Sequence, residues 1–243
     1  MSRADFGDEP AIMAGMALNP PPRCHDCLVR DTSLCASLCD SELETLSKIS
    51  RRKTVPAGAV ISWEGDDNAL CANIVKGSLK LLKSTADGRE QTVGLLTDGD
   101  FIGQPFADLG TLTAIALINT ELCLYPRASF ERVMSDQPKL ERALLERTMR
   151  SLNEARDRQL TLARKSAKAR IAGFLLDLLR DGSVGPVEVP MSRGDIGDYL
   201  GLTIETVSRQ FTELKSAGII AADRGGRSVK VNDVAALQSL ADD

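Results

Sequence analysis

The spacing of apolar and polar residues changes several times along this chain, and each change predicts a different kind of structure. Between Lys53 and Arg127, short apolar runs are separated by turns roughly every 8–12 residues, which is typical of a β-sandwich or β-roll. A short amphipathic helix is expected over Ser41–Ile49, and helical spacing replaces the β pattern from Ser129 onwards. The pattern therefore predicts an α+β chain in which a β domain precedes a helical region.

A long helix is predicted from about Pro138 into the 160s, because this stretch contains no glycine and no internal proline. Its length of about 27 residues corresponds to roughly 40 Å. An apolar stripe packed on the helix's own domain is one interpretation; a dimer seam is favoured because the helix joins two domains. The candidate seam steps by three and four residues through Leu145, Thr148, Leu152, Ala155, Gln159 and Leu162. Its polar and small members predict a marginal interface that a signal can shift.

Two helices separated by a glycine-bearing turn are predicted between Ser192 and Gly218. Ser192 is a suitable N-cap for the first helix, and Gly201 ends it. Thr203 caps the second helix, whose apolar residues recur at helical spacing: Ile204, Val207, Phe211 and Leu214. This arrangement is the helix-turn-helix pattern, in which the start of the second helix enters the major groove of DNA.

The outward face of the second helix carries Glu205, Ser208 and Arg209. Arginine can bind guanine, glutamate can accept from cytosine, and serine can pair with several base edges. The alternative is a solvated helix face with an ion pair between Glu205 and Arg209. Two short β runs around a glycine turn follow and favour DNA binding, because a hairpin after a helix-turn-helix makes a winged helix. Three basic residues of this hairpin are placed to contact phosphates: Arg224, Arg227 and Lys230.

The composition limits the class of protein. Apolar residues make up 43% of the chain, enough for packed cores, while aromatic residues at 4% are too few for single-strand stacking platforms. The net charge of -4 does not fit a non-specific DNA coater. The sequence shows no apolar run of membrane-spanning length and no signal-peptide core, so we expect a cytoplasmic protein without membrane contact.

Six cysteines and a single histidine are the second unusual feature of the composition. Four of the cysteines lie close together near the N-terminus: Cys24, Cys27, Cys35 and Cys39. In a cytosolic chain such clustering indicates metal or redox chemistry more often than structural disulfides. A zinc site, an iron–sulfur cluster and a thiol–disulfide pair all remain open on the residues alone.

The run SRGDIGDYLGLTIETVSRQF resembles the DNA-binding signature of the fumarate–nitrate reduction regulators (FNR), within the superfamily of the cyclic-AMP receptor protein (CRP). The E-x-x-S-R core of that signature falls on Glu205, Ser208 and Arg209. The resemblance implies a homodimer that binds palindromic TTGAT-N4-ATCAA-like operators in double-stranded DNA and acts on RNA polymerase. Thr203, Arg193 and Arg227 complete the candidate DNA-binding residues.

The same resemblance implies that the β domain is a jelly-roll-like double-stranded β-helix with a sensor role. It also implies a [4Fe-4S] cluster held by Cys24, Cys27, Cys35 and Cys123. The spacing of seven residues between Cys27 and Cys35 resembles the alphaproteobacterial branch of the family, and Cys39 is the alternative third ligand. Cys71 is interpreted as a core residue of a strand.

A cyclic nucleotide is not expected as the signal. Nucleotide-binding members of the superfamily carry an Arg-Ser-Ala-like phosphate clamp, and the matching stretch here is Leu112-Thr113-Ala114. No arginine lies between Arg89 and Arg127 to pair with a phosphate.

The sequence thus predicts four regions: a disordered N-terminus (1–22), a cysteine loop with a β-roll sensor domain (23–128), a helical linker with the dimerisation helix (129–163), and a winged helix-turn-helix domain (164–243). The function predicted is an oxygen-responsive transcriptional regulator that binds DNA when its cluster is intact. The alternative keeps the DNA-binding module with a structural zinc site or a thiol–disulfide switch. An enzyme is not expected, because the sequence offers no catalytic histidine and no phosphate-binding glycine loop.

Overall fold

The computed structural model describes residues 24–85, 87–179, 186–223 and 227–242. The segment 1–22, predicted to be disordered, lies outside them. Contacts divide the chain into two compact units, and the boundary falls inside the long helix, between Thr148 and Met149. The first unit comprises the described residues up to Lys83 with Leu95–Thr148, and the second comprises Ser84–Gly94 with the described residues from Met149 onwards.

Eight strands form the predicted β region: β1 (Arg51–Val55), β2 (Val60–Ser62), β3 (Leu70–Lys76), β4 (Leu79–Ser84), β5 (Glu90–Leu96), β6 (Phe101–Ile102), β7 (Thr113–Ala116) and β8 (Thr120–Pro126). They make two antiparallel four-stranded sheets with the orders β1-β8-β3-β6 and β2-β7-β4-β5. An apolar core with members from both sheets lies between them: Val55, Ala72, Ile74, Leu79, Ala116, Leu122 and Leu124. The crossovers confirm a β-roll rather than a meander.

Strand β8 separates two cores because successive side chains of a strand point to opposite faces. Leu122 and Leu124 enter the core between the sheets. Cys123 and Tyr125 face the other way, into a second core that also contains helical residues such as Leu46 and Phe130. This alternation places Cys123 on the side of the roll that faces the N-terminal segment.

The N-terminal segment consists of two 3-10 turns, Cys24–Asp26 and Leu34–Ser37, followed by α1 (Asp40–Ile49). The helix was predicted over Ser41–Ile49 with Ser41 as its cap; it begins one residue earlier, so the predicted cap was wrong. Cys39 is the N-cap instead, and its backbone N–H donates to Glu42 Oε2 at 2.7 Å. A carboxylate at this position of the first turn satisfies an otherwise unpaired N–H, which explains the earlier start.

Two helices follow the roll, α2 (Arg127–Asp136) and α3 (Pro138–Arg164). The 27 residues of α3 match the predicted length. Five of the six candidate seam residues are exposed on α3, and Leu162 is half-buried. Leu145 is 61% exposed and Leu152 is 42% exposed. Met149, which the heptad assignment omitted, is also exposed and apolar. The stripe available for a partner is thus more apolar than the sequence pattern indicated.

The described residues of the second unit form four helices, a three-stranded sheet and the C-terminal part of α3. Its further elements are α4 (Ala167–Leu178), β9 (Pro186–Glu188), α5 (Arg193–Leu200), α6 (Ile204–Ser216), β10 (Ile220–Ala222), β11 (Ser228–Val231) and α7 (Val234–Asp242). The sheet has the order β10-β11-β9, so the predicted hairpin gains β9 as a third strand. Helix α7, which was not predicted, packs on α4 and buries Leu237 and Ala241. The predicted winged helix-turn-helix is confirmed.

No helix among the described residues has the length and apolar character needed to cross a lipid bilayer.

The turn between α5 and α6 is closed by a close backbone approach at Gly197. The Leu202 N–H donates to the Gly197 carbonyl at 2.9 Å, and a β-carbon on Gly197 would lie only 2.7 Å from the Leu202 carbonyl oxygen. Since backbone atoms cannot move aside locally, Gly197→Ala is expected to destabilise the domain by about 1–3 kcal/mol. Thermal unfolding measures this. Gly194→Ala is the matched control in the same helix, because a β-carbon there would lie no closer than 3.7 Å to its nearest neighbour, the Ser192 hydroxyl. Equal stability of both variants would contradict the prediction.

Candidate functional site

A pocket of about 410 Å³, including its open side, lies where the N-terminal segment covers the outer face of the sheet that contains β8. The segment contributes Cys24, Cys27 and Cys35 to the wall, and β8 contributes Cys123. The other lining residues are Val29, Arg30, Ser33, Leu46, Ser47, Ser50, Arg52, Asn73, Val75 and Tyr125. All four predicted ligands therefore line one cavity, although a run of more than eighty residues separates Cys123 from the other three.

The geometry distinguishes Cys35 from Cys39. Cys35 is buried in the pocket wall, and its backbone N–H donates to Ser33 Oγ at 3.3 Å. Cys39 is exposed, caps α1, and does not line the pocket. The position of Cys35 agrees with its selection as the third ligand.

The four thiols surround the pocket without converging on one point. Among the residues that the structure describes, no three Cys, His, Asp or Glu side chains lie close enough together to bind a single metal ion. A tetrahedral zinc site needs sulfurs at roughly 2.3 Å from one centre. A [4Fe-4S] cluster takes one thiolate at each of its four irons, so its ligands are more widely spaced.

Burial favours the protonated form of three thiols of the pocket, those of Cys24, Cys35 and Cys123. It raises the pKa of Cys24, where the nearby Cys35 and Cys27 add to the effect, and it raises the pKa of Cys35. Burial raises the pKa of Cys123 to about 11, although hydrogen bonds from Tyr125 and Ser50 act in the opposite direction. A bound cationic centre would stabilise the thiolates, so loading this site releases protons.

These pKa shifts predict the order in which the thiols of cluster-free protein react. Alkylation requires the thiolate. At pH 8 the exposed Cys39 is expected to react with iodoacetamide at least about tenfold faster than Cys123, whose raised pKa lowers its thiolate fraction. Timed quenching and peptide mass spectrometry measure both rates. Raising the pH towards 11 should accelerate the reaction of Cys123, and equal rates at pH 8 would contradict the assigned burial.

Two buried polar atoms of the pocket wall have no hydrogen-bond partner among the described residues, namely Nε of Arg52 and Oδ1 of Asn73. The amide of Asn73 also donates from Nδ2 to Cys35 Sγ at 3.7 Å and to the Tyr125 hydroxyl at 3.1 Å. Buried donors normally have acceptors. Four thiols together with an unpaired guanidinium N–H fit an anionic sulfur-rich group, so the residues present fit the implied cluster.

Cys71 does not line the pocket. It is buried in β3, burial raises the pKa of its thiol to about 12, and a β-carbon on Gly103 would lie 2.8 Å from its sulfur. This environment agrees with a packed strand residue.

The second functional surface is the helix-turn-helix. Ser192 caps α5 by accepting from the Asp195 N–H at 3.1 Å, and Asp195 accepts from the Ser192 N–H in return. Gly201 ends α5 with a left-handed φ of 64°. Thr203 Oγ1 caps α6 by accepting from the Thr206 N–H at 3.3 Å. Both caps and the glycine stand where the sequence predicted them.

Helix α6 separates a buried face from an exposed one. Val207, Phe211 and Leu214 are buried, whereas Glu205, Ser208 and Arg209 are exposed with Thr203. Ile204, predicted for the buried face, is 50% exposed because it lies at the first helical position, before the stripe turns inward. No ion pair joins the described side chains of Glu205 and Arg209, so both are available to a ligand. Hydrogen bonds from its own backbone N–H and from Thr203 lower the pKa of Glu205, so it is ionised at neutral pH.

Two further candidate DNA contacts differ in their surroundings. The Arg193 guanidinium lies 3.2 Å from the centre of the Phe211 ring and is half-buried, and this burial lowers its pKa. Its contacts therefore join α5 to α6. Arg227 is exposed on the wing, where its backbone N–H donates to Asp223 Oδ1 at 2.9 Å. Arg224 lies outside the described residues.

Comparison with known proteins identifies both parts of the chain. Residues 169–240 match the Crp-like helix-turn-helix domain, and residues 52–137 match the cyclic nucleotide-binding domain. The second match confirms the fold; the absence of a cyclic nucleotide stays a prediction from the arginine-free stretch between Arg89 and Arg127.

Relatives that match over most of the chain are transcriptional regulators. The chain is 38% identical over 223 residues to the nitrogen fixation regulation protein FixK of Bradyrhizobium diazoefficiens, covering 90% of this chain and 93% of that one. It is 37% identical over 230 residues to the transcriptional activator protein FnrL of Cereibacter sphaeroides, covering 91% and 92%. The solved structure of FixK2 from Bradyrhizobium japonicum superposes with a TM-score of 0.74 at 33% identity, covering 79% of this chain and 97% of that one. These matches confirm the resemblance stated from the sequence, and the chain belongs to the CRP/FNR family of DNA-binding transcriptional regulators.

Proposed function

We propose that the chain is an oxygen-responsive transcriptional activator that holds a [4Fe-4S] cluster on Cys24, Cys27, Cys35 and Cys123. The observation that carries the proposal is the meeting of these four thiols in one pocket, three from the N-terminal segment and one from β8. When bound, the cluster would join the N-terminal segment to the sheet through its iron–thiolate bonds. It would also supply a centre that reacts with oxygen.

The pocket shares its core with the base of the long helix. The buried cluster of residues that includes Cys35, Cys123 and Tyr125 also includes Leu140 of α3, with Ala143 and Leu144 packed against it. Holding the N-terminal segment in place therefore supports the first turns of α3. Without that support, Leu140 loses part of its packing, and the exposed stripe that follows on α3 is less well positioned for a second copy.

The exposed stripe of α3 supports a homodimer as the active form. Leu145, Met149 and Leu152 are large, apolar and exposed at spacings of four and three, as in a two-stranded coiled-coil seam. A change of about 2–3 kcal/mol in the free energy of dimerisation corresponds to a roughly 30- to 150-fold change in the dimerisation constant, and so in the affinity for an operator that only the dimer binds. A seam of this modest quality is suited to regulation.

In the dimer, two copies of Glu205, Ser208 and Arg209 would enter successive major grooves about one helical turn apart. The three exposed side chains supply an acceptor, a hydroxyl and a forked donor, which suits a TTGAT-N4-ATCAA-like palindrome. A DNA-bound dimer of this kind would then contact RNA polymerase. The operator sequence and the oxygen signal are thus the parts of this proposal that go beyond membership of the family.

The proposal is tested on protein purified without oxygen. We expect about four iron and four sulfide per chain, the visible absorbance of an iron–sulfur cluster, a dimer by sedimentation, and tight operator binding. Admitting air should bleach the absorbance, favour the monomer and weaken binding together. Zinc-loaded or disulfide-bonded protein without iron would instead support the alternative sensor. Operator binding that is equal with and without the cluster would contradict the sensor role.

A further inference from the structure

The cationic side chain of Arg52 stands beside Cys123, the internal cysteine of the pocket. In the antiparallel pairing of β1 with β8, Arg52 lies opposite Cys123. Side chains of directly opposed residues point to the same face of a sheet and lie about 4.5–5.5 Å apart at their β-carbons. Arg52 accordingly lines the pocket.

The guanidinium is anchored at one side and has an unpaired donor at the other. NH1 of Arg52 donates to Glu121 Oε1 at 2.6 Å, and Nε is buried without a partner among the described residues. The side chain is 28% exposed, so solvent does not fully screen its charge. Since an arginine guanidinium keeps its charge in proteins, Arg52 places a cation in the pocket beside Cys123.

We propose that Arg52 is a positioning residue that sets the redox balance of the bound cluster, by placing a fixed positive charge and the Nε–H donor against the sulfurs around Cys123. This inference rests on the proposed function and adds a residue outside the four ligands. The Nε–H of Arg52 is buried without a partner among the described residues, which costs free energy and so does not stabilise the fold. A ligand in the pocket that accepts from this N–H would account for its presence.

The physical reason is the charge of the group. A [4Fe-4S] core of charge +2 with four thiolates carries a net charge of -2, and one added electron makes it -3. A neighbouring cation stabilises the more negative state more strongly, and hydrogen bonds to the sulfurs act in the same direction. Arg52 should therefore favour reduction of the cluster by an electron donor such as dithionite. It should equally oppose loss of an electron to dioxygen.

The test compares Arg52→Leu with the wild-type chain, both reconstituted anaerobically to about four iron per chain. Redox titration with dithionite, followed by electron paramagnetic resonance, measures the one-electron couple. We expect the equilibrium constant for reduction to fall about tenfold, which is a shift of about 59 mV. In air, where dioxygen accepts the electron, we expect cluster absorbance to decay several-fold faster.

Arg51→Leu is the matched control. Arg51 is the preceding residue of β1, pairs with Leu124, and lies on the opposite face of the strand, so this variant removes the same charge from the chain outside the pocket. Its potential should equal that of the wild type. Arg52→Lys keeps the charge and should recover most of the shift.

A variant at the partner carboxylate supplies an independent test. Glu121→Gln removes the negative charge that pairs with Arg52, and it should raise the reduction potential of the cluster. This variant tests the role of Arg52 even if Arg52→Leu binds no iron. Unchanged potentials in both Arg52→Leu and Glu121→Gln, or an equal shift in Arg51→Leu, would overturn the inference. Wild-type protein that binds no iron under anaerobic reconstitution would instead overturn the proposed function.

Discussion

The variant Cys35→Ser is expected to lose its cluster and to bind the operator roughly 30- to 150-fold more weakly under anaerobic conditions. A serine hydroxyl stays protonated near neutral pH and cannot replace a thiolate ligand. The remaining thiols cannot compensate by local movement, because Cys39 is exposed and fixed at the start of α1. Iron analysis, absorbance and fluorescence anisotropy with a duplex carrying the palindrome measure both effects.

Cys39→Ser is the control that decides the ligand set. Cys39 does not line the pocket, and serine is itself a good N-cap, so this variant should keep about four iron per chain and full operator affinity. The opposite result, in which Cys39→Ser loses iron and Cys35→Ser retains it, would show that the N-terminal segment rearranges on binding. Loss of iron in both variants would point to alternative use of the two thiols.

Much of the fold follows from local sequence signals. The caps Ser192 and Thr203 with the terminator Gly201 act within a few residues of one another, so their pattern was sufficient to define the helix-turn-helix. The length of α3 was equally predictable, because an uninterrupted helical stretch needs no tertiary information. Helix α7 was missed because its apolar residues are meaningful only once α4 supplies a surface for them.

The pocket was predictable only in part. The cysteines were recognisable from their spacing and the resemblance, but the choice between Cys35 and Cys39 depends on which of them the turn Leu34–Ser37 buries. Arg52 could not be recognised from the sequence, since the role proposed for it depends on the register that sets it opposite Cys123, seventy-one positions away. The need for glycine at position 197 was also not predictable, because it comes from the close approach of the Leu202 carbonyl. Such features belong to strand pairing and backbone approach, which composition and periodicity do not encode.

The second large effect is expected at the recognition helix. Arg209→Ala should lower affinity for the palindrome while leaving the fold intact, because Arg209 is exposed and alanine is the best helix former. A bidentate contact to guanine contributes about 1–3 kcal/mol of discrimination. A symmetric dimer makes the contact twice, so the loss should be about 2–6 kcal/mol, or roughly 30-fold to 10⁴-fold.

The loss of affinity in Arg209→Ala should depend on the DNA sequence. Such a dependence distinguishes recognition of a base from electrostatic attraction to the phosphates. Binding of Arg209→Ala to palindromes altered at the guanine of each half-site should be nearly equal to its binding to the original. Arg227→Ala on the wing provides the contrast, since loss of a phosphate contact weakens all sequences alike and reduces the salt slope by about one per chain. If Arg209→Ala kept the wild-type preference among these operators and only its salt slope changed, Arg209 would be a phosphate contact. The reading of guanine would then have to come from another exposed residue of α6, with Ser208 the nearest candidate on the same face.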